Sequence, residues 1–254
     1  LKDCVLLFVD EAFWAGDNAA AGVIKNLVTE PTITVEQKFK DLFTVKSNLN
    51  ILIASNNSWV VPAGMDERRF FTFDVSDCLK GDYDFFKKLH TQMNNGGREA
   101  MFYDLKRMDI SGIDLRQFER TDALLEQIFE SMTLVQKWWF TQLRRGAMLL
   151  TDPKDIFGPK DDCWPDAVLN DHLYENFEVF AQKLPGYLPP QESFAQQLTK
   201  IMEPVEYIRQ PFVEGGPRVR TRIIPPLDHC RKDFEKMLDM AVDWDRENEE
   251  RMPF

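Results

Sequence analysis

The sequence predicts an α/β fold in three parts: a parallel sheet near the amino terminus, a helical middle, and a winged-helix-like carboxyl-terminal domain. Three observations lead to this prediction. Two apolar runs, residues 5–9 and 50–55, each end in polar side chains, as buried parallel strands do. Apolar residues recur at helical spacing between residues 83 and 143. Near the end of the chain, two helical segments precede a pair of strands, which is the element order of a winged helix.

The first apolar run ends in two adjacent carboxylates, Asp10 and Glu11. Ligands of open α/β sheets bind at the carboxyl ends of strands, so a ligand would lie beside both acids. In a nucleoside triphosphatase, the first acid of such a pair holds Mg²⁺, directly or through water, and the second positions the attacking water. By itself the run is equally compatible with a strand that simply ends in polar residues.

Amides and arginines follow in an order that favours the first interpretation. The second apolar run ends in Asn56 and Asn57, and an amide can orient water beside a phosphate without adding charge. Next come Arg68 and Arg69, leading into a third predicted strand, Phe71 to Val75. Arginine stabilises the charge on a transferring phosphoryl group, often in trans. Together these groups predict the second half of a phosphate-handling site.

A hairpin is predicted between the first two strands, from β-branched and aromatic residues at 32–36 and 42–45. Its tip carries Lys38, Phe39 and Lys40. Lysines bind phosphates, and an aromatic ring can stack on a base or sugar of single-stranded DNA. The alternative is an ordinary solvated hairpin tip.

In order and spacing, these segments resemble the motifs of superfamily 3 helicases, the AAA+-type ring motors of small viruses and phages. FVDEA at 8–12 resembles their Walker B motif, ILIASNN at 51–57 their motif C, and DERRF at 66–70 their arginine-finger segment. The resemblance extends to a phage primase-helicase family that also carries a segment similar to GGREAMFYDLKRMDISGIDLR, residues 96–116. The resemblance covers about residues 1–150. It implies that this part of the chain forms the carboxyl-terminal half of an AAA+-type P-loop ATPase sheet.

The resemblance also implies roles for individual residues. Asp10 would hold Mg²⁺, and Asp10, Glu11 and Asn56 would contact ATP. Arg68 or Arg69 would act on the nucleotide of a neighbouring subunit. The hairpin before the sensor strand would point into a central channel and grip single-stranded DNA.

We therefore expect an ATP-dependent replicative DNA helicase module of phage type, which moves along single-stranded DNA as a homo-oligomeric ring. The expected ring is a hexamer, and a primase-polymerase domain is expected to be fused to it or associated with it. Two alternatives stay open: a non-catalytic DNA-binding or loading factor, and a ring scaffold with a degenerate ATPase fold.

One motif of the family is missing, the phosphate loop GxxxxGK[ST]. The double glycines at 96–97 and 215–216 lack the Lys-Ser/Thr that must follow. We expect the loop to lie upstream, because without its strand the first two strands would expose unpaired edges and apolar faces. The 254-residue chain alone is then not expected to hydrolyse ATP.

The other elements follow from periodicity and turn residues. Helices are expected at residues 18–28, 83–93, 98–108, 123–143, 166–182 and 191–202, and further strands at 205–211 and 218–224. Trp138, Trp139 and Phe140 are expected in the core. The predicted parts are an ATPase core fragment at 1–82, a helical region at 83–150, a linker at 151–165 and the winged-helix-like domain at 166–254.

Arginines are concentrated in the last predicted strand, where Arg218, Arg220 and Arg222 alternate and so share one face. Such a face suits phosphates of DNA. The alternative is a solvated strand paired with the many acids nearby.

Composition limits the remaining possibilities. A net charge of −11 argues against a surface that coats DNA broadly, but it is compatible with basic residues facing a narrow channel. Four scattered cysteines indicate reduced thiols and a cytoplasmic protein. No apolar run reaches the length of a membrane span.

Overall fold

The computed structural model describes residues 3–11, 18–36, 41–114, 118, 120–148, 164–202, 206–211 and 218–245. The chain forms two compact units. The first joins Leu1–Glu67 to Gln127–Phe254, and the second is Arg68–Glu126. None of the helices in the described ranges combines the length and the apolar character that a membrane crossing needs.

The amino-terminal part of the first unit contains four short strands and one helix. In chain order they are β1 (Leu6–Val9), α1 (Asn18–Thr29), β2 (Thr32–Val35), β3 (Phe43–Lys46) and β4 (Asn50–Ile53). β1 and β4 pair in parallel, and β2 and β3 form an antiparallel hairpin. The predicted helix, the hairpin and the parallel pairing of the two apolar runs are confirmed.

One face of the β1–β4 pair is open to solvent. Phe8 lies opposite Leu52 in the parallel register, and Leu6 lies two residues before Phe8 on the same face. The side chains of Leu6, Phe8 and Leu52 are 61%, 55% and 49% exposed. These strands therefore show an apolar face to solvent, and the phosphate-loop strand that would cover it stays an expectation.

The second unit contains the helices α2 (Tyr83–Gln92) and α3 (Arg98–Arg107) and the first half of α4 (Asp122–Ser131). The Asp82 side chain caps α2 by accepting a hydrogen bond from the Phe85 backbone N–H at 2.9 Å. Gly96, at φ 90°, interrupts the helical path between α2 and α3. The predicted turn between two helices is thus confirmed, but neither helix buries a single residue.

The predicted strand from Phe71 to Val75 is wrong. Residues 71–76 have no regular secondary structure, and Phe71 and Val75 are 57% and 84% exposed. The apolar alternation there is typical of a strand, but a strand needs a neighbour with which to share its backbone hydrogen bonds. No strand of the described residues pairs with this segment.

The long helix predicted at 123–143 is two helices, α4 and α5 (Leu134–Arg145). Thr133 ends the continuity because it caps α5. Its hydroxyl accepts from the Gln136 backbone N–H, and the Gln136 side chain accepts from the Thr133 backbone N–H. This reciprocal pair is a capping box, which fixes the start of a new helix.

The carboxyl-terminal part of the first unit is a three-stranded antiparallel sheet with helices. Its elements after α5 are β5 (Ala167–Leu169), α6 (Asn170–Ala181), α7 (Gln191–Ile201), β6 (Tyr207–Pro211), β7 (Arg218–Ile223) and α8 (Leu227–Leu238), with strand order β5–β7–β6. The helix prediction for 167–169 is wrong, since these residues pair with β7. α6, α7, β6 and β7 were predicted, whereas α8 was not.

Aromatic side chains fill the core of this part. Trp138, Trp139 and Phe140 on α5 are buried, which confirms their predicted place. Phe177 of α6 stacks on Phe194 of α7 with 4.7 Å between ring centroids. The Trp138 indole N–H donates to Asn176 Oδ1 at 2.7 Å, so its one polar group is satisfied in the core.

Candidate nucleotide and nucleic-acid sites

The acid pair lies at the carboxyl end of β1. The parallel ladder continues to the last residue of the strand, where the Ala54 N–H donates to the Val9 carbonyl at 3.0 Å. Asp10 and Glu11 follow directly, and both are exposed. Glu11 has φ 55°, a left-handed conformation that costs a residue with a Cβ about 1–2 kcal/mol. Strained residues of this kind are concentrated at functional sites.

The amides lie at the same edge of the β1–β4 pair, because the carboxyl ends of parallel strands meet there. The Asn57 side chain is turned back onto its own loop. Its Nδ2 donates to Ser55 Oγ at 3.0 Å, and its backbone N–H donates to the same oxygen at 3.1 Å. Asn56 is exposed. This arrangement agrees with the choice of Asn56 over Asn57 as the sensor residue, which stays a prediction.

Gln127 is a positioning residue that the sequence did not reveal. Its Oε1 accepts from the backbone N–H groups of Val60 and Val61 at 2.7 and 3.2 Å, and its Nε2 donates to the Ser58 carbonyl at 2.7 Å. These bonds fasten the segment after the two amides to α4. A glutamine within an amphipathic helix gives no sign of this role, because such a residue usually faces solvent.

Arg68 and Arg69 begin the second unit. Arg68 is exposed and Arg69 is half-buried. Glu67, the last residue of the first unit, is almost completely buried. A side chain must be exposed to reach a neighbouring subunit, and Arg68 is more exposed than Arg69.

The predicted DNA-gripping residues Lys38, Phe39 and Lys40 lie outside the described residues. The strands on either side are described, and Val35 lies opposite Phe43 at the end of the β2–β3 ladder. The hairpin that would present these three residues is therefore in place, and their contact with DNA stays a prediction.

The assignment of Arg222 to DNA is wrong. Arg222 is 0% exposed. Its Nη2 donates to Tyr207 OH at 2.8 Å and to Thr199 Oγ1 at 3.2 Å, and its Nε lies 3.5 Å from Asn170 Oδ1. Residues of α6 and α7 cover this end of the strand, so no phosphate can reach the guanidinium. Arg218 and Arg220 occupy the same face of β7, at positions farther along the strand from these helices.

A cavity of about 270 Å³ lies elsewhere in the first unit, and none of the predicted site residues lines it. Its walls include Trp139, Ile201, Met202, Cys230 and Asp233. Burial raises the pKa of the Cys230 thiol to about 12, so this sulfur stays protonated and unreactive at neutral pH.

The sequence predicts Mg²⁺ beside Asp10, and this ion needs few protein ligands. No group of three or more His, Cys, Asp or Glu side chains in the described ranges is arranged to hold a metal ion. Mg²⁺ does not need one, because it keeps several waters and is bound through one or two carboxylates together with substrate phosphates. Asp10 and Glu11 fit that requirement.

Comparisons with known proteins give one family match and a match in fold. Residues 1–69, which include the acid pair, the amides and both arginines, match the model of a family of unknown function, DUF5906. No curated protein sequence shows a significant match. Two apo structures of the NrS-1 C-terminal region superpose with TM-scores of 0.62 and 0.60, each at 13% identity. Each alignment covers 87% of this chain and 55% of the NrS-1 chain. The protein therefore has a mixed α/β fold with small sheets, similar to the NrS-1 C-terminal region, and spans about half of it.

Proposed function

We propose that this chain is the acid-and-sensor half of an ATP-dependent DNA helicase of phage replication type. One observation carries the proposal: parallel pairing of β1 with β4 brings Asp10, Glu11 and Asn56 to one edge of a sheet. That edge is where open α/β sheets bind ligands. The order of the motifs supports a place among phage replication proteins, and the fold is similar to that of the NrS-1 C-terminal region.

Each group has a distinct task in the proposed site. The bound Mg²⁺–ATP would supply the phosphoryl group and neutralise charge on its oxygens. Asp10 would hold the metal ion, Glu11 would accept a proton from the attacking water, and Asn56 would orient that water. Arg68, or else Arg69, would stabilise charge on the nucleotide of the adjacent subunit in a hexameric ring. Residues 38–40 would hold single-stranded DNA.

The open face of the β1–β4 pair supports the same proposal. Leu6, Phe8 and Leu52 form an apolar surface on two parallel strands, and parallel sheets are normally covered on both faces. A strand and helix carrying the phosphate loop would cover this surface and supply the missing phosphate cradle. The proposed activity therefore belongs to a protein that also contains that loop.

A strand-separation assay on the full-length protein tests the proposal against its alternatives. The wild type should displace a labelled strand from a tailed duplex only when ATP and Mg²⁺ are present. Asp10→Asn should abolish displacement, and the exposed Glu30→Gln should not. DNA binding without ATP-dependent displacement would indicate the loading factor, and oligomers that bind neither ligand would indicate the scaffold.

A further inference from the structure

The cavity of about 270 Å³ lies among elements of the carboxyl-terminal part of the first unit. The helices α5, α7 and α8 and the end of β7 all contribute side chains to its walls. Protein interiors are densely packed and contain few voids larger than a water molecule. A space of this size beside an aromatic core is therefore a candidate binding site.

The floor of the cavity is apolar. Trp139, Met202 and Cys230 line it and are buried. The Cys230 thiol donates to the Pro225 carbonyl at 3.4 Å, and the Trp164 indole N–H donates to the same oxygen at 2.8 Å. A carbonyl oxygen has two lone pairs, so this acceptor is already used twice. The floor therefore offers a ligand mainly apolar contact.

The walls nearer solvent carry two carboxylates. Glu206 is exposed and Asp233 is half-buried, and His229 lies one helical turn before Asp233 on the same face of α8. His229 Nε2 lies 3.2 Å from Asp233 Oδ2, and no other described side chain bonds to this carboxylate. Among the described residues that line the cavity, none is a lysine or an arginine. With His229 neutral, the cavity carries two negative charges.

The charge of Asp233 acts inside the cavity. Burial, and after it the Asp233 carboxylate, raise the pKa of the Cys230 thiol to about 12, because a second negative charge beside the first is unfavourable. The same field favours a positive charge. A metal ion is a poor match, since no three His, Cys, Asp or Glu side chains of the described ranges are arranged to hold one. An organic cation with an apolar body matches both the floor and the carboxylates.

We propose that this cavity binds a small primary amine, with the apolar body against Trp139 and Met202 and the ammonium group bound by Asp233 and Glu206. The three N–H donors of an ammonium group suit two carboxylates. An apolar cavity of about 150 Å³ binds benzene, so about 270 Å³ suits a molecule of roughly ten non-hydrogen atoms. Neither ATP nor DNA takes part, so this inference does not depend on the proposed function.

Saturation-transfer NMR tests the site on the full-length protein, without nucleotide or DNA. Three probes of similar size and shape differ in charge: phenethylamine is cationic, phenethyl alcohol is neutral and phenylacetate is anionic. The amine should bind at least about 3-fold more tightly than the alcohol, because charge-assisted hydrogen bonds are stronger than neutral ones even where water screens them. Phenylacetate should bind most weakly.

Substitutions separate the charge of the cavity from its shape. Asp233→Asn preserves the shape, so it should weaken amine binding by roughly 3–10-fold and leave binding of the alcohol unchanged. Glu206→Gln should have a smaller effect in the same direction, because Glu206 is more exposed. Glu192→Gln, at the opposite end of α7, is the matched control and should change neither affinity. Ile201→Trp fills the cavity and should abolish binding of both probes.

A preference for the amine that Asp233→Asn removes would support the site. Three results would overturn it: no binding of any probe, binding of the alcohol or phenylacetate as tight as that of the amine, and an amine affinity that neither carboxylate variant changes. Amine binding that survives in Ile201→Trp, with folding verified by circular dichroism, would also overturn it. If Ile201→Trp does not fold, the two carboxylate variants decide the matter.

Discussion

Glu11 is exposed directly after the end of β1, and its backbone has a left-handed conformation. Its φ of 55° is a conformation that a residue with a Cβ adopts at a cost, and the proposed role of its carboxylate would explain why glycine does not occupy the position. We therefore predict a conflict between stability and activity at this one residue.

Substitution of Glu11 by glycine should preserve or increase the free energy of unfolding by up to about 1 kcal/mol, because glycine removes the left-handed strain but loses chain entropy. Glu11→Val should decrease it by about 1–2 kcal/mol, since a β-branched residue fits this region poorly. Urea unfolding of both variants measures the difference. A larger loss for glycine than for valine would contradict the backbone assignment.

Cys230 provides a pH-dependent prediction. Burial, the larger cause, and the nearby Asp233 carboxylate raise the pKa of its thiol from an ordinary value of 9.0 to about 12. Because folding raises this pKa, the thiol stabilises the folded protein fully at a pH below its unfolded pKa. That stabilisation is lost as the pH rises from about 9 towards 12.

At pH 8 a thiol reagent should modify exposed Cys78 quickly and Cys230 only after unfolding. Mass spectrometry of the labelled peptides reads out both rates, and equal rates would exclude the burial described.

At the scale of elements, Gln127 makes three of the side-chain hydrogen bonds between residues 58–61 and α4, and Trp59 adds one to Ser131. Gln127 satisfies three backbone groups of residues 58–61. All three backbone groups lose their partner if the Gln127 amide is removed. Each buried group left without a hydrogen bond costs about 1–3 kcal/mol of stability, and this cost is smaller where water can reach the group.

Gln127→Leu should therefore lower the free energy of unfolding by at least about 1–3 kcal/mol, although leucine is a similar size and a good helix former. In the full-length protein it should also lower ATP turnover more than ATP affinity, because the sensor loop loses its support. Gln182→Leu, at an exposed position after α6, is the matched control. If both leucine variants unfold at the same denaturant concentration as the wild type, Gln127 does not fasten this segment.

Elements with a strong local signal were predicted from sequence. α1, the β2–β3 hairpin, α2, α3 and α7 all have clear periodicity or turn residues at their ends. The parallel pairing of β1 with β4 followed from two apolar runs that both end in polar side chains. The break at Thr133 had a readable signal too, since Thr-x-x-Gln is a capping box in sequence.

The failures have physical causes. Residues 71–75 have the pattern of a strand, but they lack a neighbour, which a local pattern does not reveal. Three residues at 167–169 are too few to show a period of two, and only their partner β7 makes them a strand. The alternating pattern of β7 assigned Arg222 correctly to one face of the strand. The sequence does not show that residues of α6 and α7 cover that face at Arg222. Gln127 acts through long-range bonds that no local pattern encodes.

At the scale of the whole molecule, the second unit shows an unusual apolar surface. Its exposed large apolar side chains on and after α2 and α3 are Tyr83, Phe85, Phe86, Leu89, Met101, Phe102, Tyr103, Leu105, Met108, Ile110 and Ile113. Large exposed apolar patches are typical of interaction sites. A ring subunit needs such a surface, and Arg68 at the start of this unit would need a neighbour to act on.

Phe86→Ser/Phe102→Ser should shift the full-length protein from the proposed ring to smaller species in sedimentation velocity experiments. The free energy of unfolding of the monomeric protein should change by no more than about 0.5 kcal/mol, because both positions are exposed. Lys87→Ser/Lys106→Ser changes the same helices without removing apolar surface and should leave the ring intact. A ring that survives the phenylalanine changes would assign this surface to another role.

The central claim is that this chain supplies the hydrolytic acids of a DNA-dependent ATPase, and steady-state ATP turnover of full-length Glu11→Gln tests it most directly. We predict turnover that single-stranded DNA stimulates in the wild type and that falls by at least about 10²-fold in Glu11→Gln, while ATP still binds. Glu30→Gln should match the wild type. Near-normal turnover in Glu11→Gln, or no turnover in the full-length wild type, would contradict the claim.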